Sequence, residues 1–129
     1  MVEVFLERAR QLSIARDLVR EDAEYASATA LLAVHTAIAV NDALLMELSG
    51  ERYKGADHRR ALKATERMCT AKNIRTAGLK HLRTLLSKKT DVSYGEDRVS
   101  FETASALAYS SQRFEDWALS ILKVGRRVS

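Results

Sequence analysis

The chain contains no proline, five glycines and one cysteine in 129 residues, and aromatic side chains make up only 6% of it. Without proline and with few glycines there is little to interrupt a helix, so long helices are expected and a strand-and-turn architecture is not. The single cysteine, Cys69, cannot form an intramolecular disulfide. With Met68 and Ala71 beside it, it reads as a small core residue in a reducing, cytoplasmic setting. The start of the chain, Met1-Val2-Glu3-Val4-Phe5, lacks the basic-then-apolar layout of a secretory leader. The longest uncharged run, 26–40, is short and alanine-rich, so a buried helix rather than a membrane span is expected.

Other absences narrow the chemistry. His35, His58 and His81 are dispersed with no second ligand at metal spacing, so no metal site is expected. There is no glycine-rich phosphate loop and no Gly-x-Ser-x-Gly elbow. No cofactor is expected.

Charge, by contrast, is abundant and unevenly spread. The formal net charge is +4, but residues 1–51 carry four basic and nine acidic side chains, 52–98 carry thirteen and five, and 99–129 carry four and three. The middle of the chain is therefore electropositive and suited to phosphates, or to an interface with the acidic first part. A short basic tail occupies 123–127.

Hydrophobic spacing predicts one all-α domain over 1–129, an up-and-down bundle of four main helices. Phe5, Ala9, Leu12, Arg16 and Val19 mark the inner side of a first helix over 2–20, followed by an acidic turn at 21–24. Residues 25–49 are apolar nearly all round, as in a central helix packed on several sides, and Gly50 stops it. Asp57 is placed to cap a third helix carrying Ala61, Leu62, Thr65, Met68 and Cys69. Its phase weakens at 73–78 and resumes at Leu79, Leu82, Leu85 and Leu86, so this helix is kinked or split and is expected to end near Lys88 and Lys89. Ser100 caps the last helix, whose apolar side includes Ala104, Leu107, Ala108, Ser111, Phe114, Ala118 and Leu122.

Two polar groupings stand out. His35 and Asp42 lie two turns apart on one side of the central helix, roughly 10 Å along its axis, with Thr36 and Asn41 beside them. Lys88, Lys89 and Tyr94 form a basic-aromatic corner that would meet a phosphate with two ammonium groups and a phenol.

The run from Ala26 through His35, Asn41 and Asp42 to Leu44, then Gly55-Ala56-Asp57-His58, then Leu85-Leu86 with Lys88, Lys89 and Tyr94, and the helix opening at Val99-Ser100 together resemble a bacterial branch of the HEPN superfamily. That resemblance implies a helical, commonly homodimeric domain of the kind found in ribonuclease toxins, defence systems and partners of small nucleotidyltransferases. Catalytic members carry Arg-x4-6-His and cleave RNA without metal. Laid on this chain the motif falls on Lys89 to Tyr94, where lysine replaces arginine and tyrosine replaces histidine. A further match is Arg75 to His81. Lysine lacks the bidentate fork, and a tyrosine with its ordinary pKa near 10 is a poor proton carrier. The expectation is a non-catalytic HEPN-like module that uses Lys88, Lys89, Tyr94, His35 and Asp42 to engage RNA, a nucleotide or a nucleotidyltransferase-type protein, without a membrane. The alternative is a metal-independent endoribonuclease with a degenerate motif at Lys89 and Tyr94, or at His81.

Overall fold

The computed structural model describes residues 2–55 and 57–128, with side chains through Lys123. Ala56, which belongs to the Gly55-to-His58 run, and the side chains of the basic tail beyond Lys123 lie outside the described residues. The chain is all-helical, with α1 (Val2–Val19), a 3-10 turn at Ala23–Tyr25, α2 (Ala26–Ser49), α3 (His58–Ala71), α4 (Leu79–Tyr94) and α5 (Phe101–Val128).

The third element is split rather than kinked, so there are five helices where four main ones were expected. α3 ends at Lys72, and Asn73 turns the chain with a left-handed backbone of φ 59°. Gly78 then passes so close to the Trp117 indole of α5 that a Cβ there would fall on the ring. A correction concerns the end of α4, which continues through Lys88 and Lys89 to Tyr94. Val92 packs against the core and draws the helix onward, so the two lysines stand on its body rather than at its end.

α2 is the hub, and α1, α3, α4 and α5 all pack on it. One face of it is fully buried, with Ala30, Ala33, Val34, Ala37, Val40 and Leu44 each at most 1% exposed, and Ala39, Leu45 and Met46 bury other sides, while Leu31 and His35 stay exposed. Small residues let four helices approach one axis closely, and Phe114, Leu79, Leu82 and Leu85 fill the space between them. Taken with the 3-10 turn, the helical stretch Ala23–Ser49 is long and apolar enough to cross a membrane by composition alone, although 72% of its most apolar window is buried inside the fold.

The ends are set locally. Asp22 accepts from the Glu24 amide at 3.0 Å and starts the 3-10 turn. Gly50 closes α2 with φ 76°, a backbone that an L side chain adopts only under strain. Asp57 accepts from the Arg59 and Arg60 amides to begin α3, and Ser100 Oγ accepts from the Thr103 amide at 3.0 Å to begin α5.

Candidate functional site

The loop between α2 and α3 is short and held in place. Ser49 Oγ donates to the Glu51 carbonyl at 3.0 Å and accepts from the Glu51 amide at 3.2 Å. Tyr53 donates from its hydroxyl to the Asp57 carbonyl at 3.3 Å. Its ring lies against Gly55, where a Cβ would meet the phenolic oxygen at 2.6 Å. These contacts carry Arg52 and Lys54 out over the head of α1.

There the loop meets Phe5 and Arg8. Phe5 is 8% exposed and packs with Ala43 and Met46 of α2. Its ring takes Arg8 Cζ at 5.6 Å and Arg52 Cζ at 5.8 Å from the centroid, a contact that orients both guanidinium groups for about 0.5–1 kcal/mol each. Together with Asp42, Lys54 and His58 they line a cleft of about 440 Å³. Neither Arg8 nor Arg52 is paired with a carboxylate within 4.0 Å among the described residues.

Asp42 and His58 both line this cleft and also a small gap with Ile38, Ala61, Leu82 and Leu86. Burial pushes the Asp42 carboxyl above the usual carboxylate value, against the pull of Arg8 and Arg52. His58 moves the other way. Burial lowers its pKa, Lys89 and His35 lower it further, and Asp57 opposes them. His35 is lowered by burial and then by Lys89. His58 is thus held toward its neutral form in a cleft that the Asp42 carboxyl and two guanidinium groups also line, a setting in which an imidazole can take a proton near a bound anion.

The residues singled out from the sequence divide accordingly. Asp42 lines the cleft, whereas His35 and Lys89 do not, although both lie within electrostatic reach of His58. Tyr94 is 79% exposed at the far end of α4. Lys88 lines a separate groove with Asp91, Glu96 and Asp97, so the corner does not converge as a unit. Arg75 lies in the exposed turn before α4, and His81 faces Lys80 and Arg113 instead. Asn41 and Thr36 are structural: Asn41 Oδ1 accepts from the Thr65 hydroxyl at 2.8 Å, and Thr36 donates to the Leu32 carbonyl at 2.7 Å. No group of three or more His, Cys, Asp or Glu side chains that could hold a metal occurs among the described residues.

Sequence reasoning missed Arg8, Arg52, Lys54 and His58. A signal for two of them existed, since Arg52 and His58 are separated by five residues and satisfy the same Arg-x4-6-His spacing. That match straddles a glycine-containing loop and so has no helical register to draw attention to it. Comparison of the chain with protein-family models, curated proteins and solved structures gave no match in any of the three.

Proposed function

We propose that this chain is a HEPN-like helical module that binds the phosphate groups of RNA in the cleft of Arg8, Asp42, Arg52, Lys54 and His58. The observation that carries this reading is the convergence of three cations, from α1 and the α2–α3 loop, on one cleft where neither arginine forms a salt bridge within 4.0 Å among the described residues. Guanidinium groups oriented on an aromatic ring match the geometry of phosphate oxygens. The HEPN kinship, a homodimeric state and a nucleotidyltransferase-type partner in a defence or toxin-antitoxin setting rest on the sequence resemblance and form the biological side of the same proposal.

Binding through three phosphate contacts is salt-dependent. Affinity for single-stranded RNA falls about twentyfold between about 50 and 200 mM salt. Fluorescence anisotropy with labelled RNA checks this, and the Arg8→Ala/Arg52→Ala double variant flattens the salt slope. Salt-independent binding, or none, refutes the phosphate reading.

A second reading, metal-independent RNA cleavage, is favoured by one specific feature: His58, held below the ordinary imidazole value, lines the same cleft as Asp42 and Arg52. His58 would accept the 2′-hydroxyl proton as that oxygen bonds to phosphorus, Arg52 and Arg8 would stabilise the charge that develops on the phosphate, and the 5′-oxygen would leave as an alcohol protonated by water, giving a 2′,3′-cyclic phosphate.

A further inference from the structure

On the other side of the 51–54 loop lies a second cleft, of about 550 Å³. It shares Arg52, Tyr53 and Lys54 with the first, but its character differs. Its floor is apolar, made by Leu45 of α2 with Ala64 and Met68 of α3, and Arg67 stands at its rim. Both volumes fall in the range of small-ligand sites, about 300–1,000 Å³.

The shared wall is the informative part. Tyr53 is held by its bond to the Asp57 carbonyl and by the close approach of Gly55, so its ring is a fixed surface. A cation-lined cleft with a fixed aromatic residue between it and an apolar-floored cleft matches the chemistry of an unpaired nucleotide, which joins a charged phosphate to a flat base with apolar faces. A paired base has its faces covered by its neighbours in the stack and cannot enter.

We propose that the cleft of Leu45, Tyr53, Ala64, Arg67 and Met68 is a nucleobase subsite, and that the two clefts together hold one unpaired nucleotide astride the Arg52–Lys54 loop. The base lies on the Met68 and Ala64 floor beside Tyr53, with Arg67 at its polar edge. The phosphate lies against Arg52, Lys54 and Arg8. This inference rests on the phosphate reading of the first cleft and adds the selection of single-stranded over paired nucleic acid.

The test compares a labelled single-stranded oligoadenylate, the same strand annealed to its complement, AMP and inorganic phosphate, on the wild-type chain and on Tyr53→Ala and Ala64→Trp. The expected result is single-strand binding about tenfold tighter than duplex binding, displaced by AMP at concentrations where inorganic phosphate has no effect. Tyr53→Ala removes the stacking wall and Ala64→Trp fills the floor. Each abolishes the single-strand preference, Ala64→Trp with salt-sensitive duplex binding unchanged and Tyr53→Ala with duplex binding weakened as well, because Tyr53 also braces the Arg52–Lys54 loop; the single-strand-to-duplex ratio of Tyr53→Ala decides the matter if Ala64→Trp does not fold. AMP binding as tight as the oligomer identifies free mononucleotides as the source of the same unit and supports the subsite. Equal binding of single strand and duplex by the wild type, or an unaltered preference in Tyr53→Ala, overturns the subsite while the phosphate reading stands. Absence of binding by every probe overturns both.

Discussion

Arg16 of α1 is 1% exposed and donates from Nη1 to Ser111 Oγ of α5 at 3.0 Å. Ser111 passes its own proton to the Ala33 carbonyl of α2 at 2.8 Å, so one buried chain of hydrogen bonds links three helices. The guanidinium is neutralised from the rim by Glu115 at 3.1 Å and Asp17 at 3.0 Å. Burial would raise the Asp17 carboxyl, but the bonds and charges of Arg16 and then Arg20 outweigh it and hold its pKa below the ordinary value. Removing the arginine strands Glu115 and leaves a void where its stem was packed. Arg16→Ala is expected to cost about 3–5 kcal/mol in urea unfolding, and Ser111→Ala about 1–2 kcal/mol. Arg16→Met keeps the volume and costs less than Arg16→Ala. A loss under about 1 kcal/mol for Arg16→Ala would show that this network contributes little.

Gly78 and Trp117 support a second stability prediction. Gly78 has φ −71°, which any residue adopts, so the glycine is required by space alone. Gly78→Ala is therefore expected to destabilise by about 1–3 kcal/mol as an overpacking change. Trp117 is the sole tryptophan, so its emission reports the displaced ring directly. Unchanged stability and emission would mean that the α3–α4 turn moves aside freely.

The fold was largely legible because its determinants are local. Asp57 and Ser100 cap helices in the way their side chains allow, Gly50 supplies the left-handed stop, and the alanine-rich run of α2 betrays the central helix on which the others pack. Where the reading failed, packing at a distance decided the outcome. Thr90-Asp91-Val92-Ser93 favours no helix by itself, yet Val92 reaches the core and α4 runs on to Tyr94. The cleft was less legible than the fold. Arg8 comes from a helix far away in sequence, and it gains meaning only when Phe5 brings it beside Arg52.

Protonation gives a prediction with a definite sign. His35, His58 and His81 are all held below the ordinary imidazole value, by burial first and then by neighbouring cations. Below about pH 6.5 the unfolded chain therefore binds more protons than the folded one. Stability is fully present above that value and falls as pH drops through the lowered folded values. Asp42, raised by burial against the pull of Arg8 and Arg52, acts in the opposite sense: its charged form is penalised at neutrality, and protonation relieves that cost as pH falls through its raised value. The urea midpoint is expected to drop between about pH 7.5 and 5.5, and His58→Gln makes this drop shallower. Identical pH profiles for the two proteins would exclude His58 as a contributor.

The cleavage reading of the Arg52–His58 cleft makes the sharpest demand. General base catalysis by one positioned histidine contributes about 10²–10⁴-fold, so in excess chelator any RNA cleavage should fall by that order in His58→Ala. Arg52→Lys keeps a charge but loses the two-pronged contact with phosphate oxygens, and it should reduce the rate while RNA is still bound. Tyr94→Phe and His81→Ala should cleave like the wild type, because Tyr94 is exposed at the end of α4 and His81 faces Arg113. Lys89→Met removes a positive charge that helps hold His58 neutral, so the acid limb of the rate profile should move to higher pH. Cleavage that survived His58→Ala but vanished in His81→Ala would transfer the chemistry to the α4–α5 side of the molecule. RNA binding without cleavage by the wild type would leave the cleft as a recognition site alone.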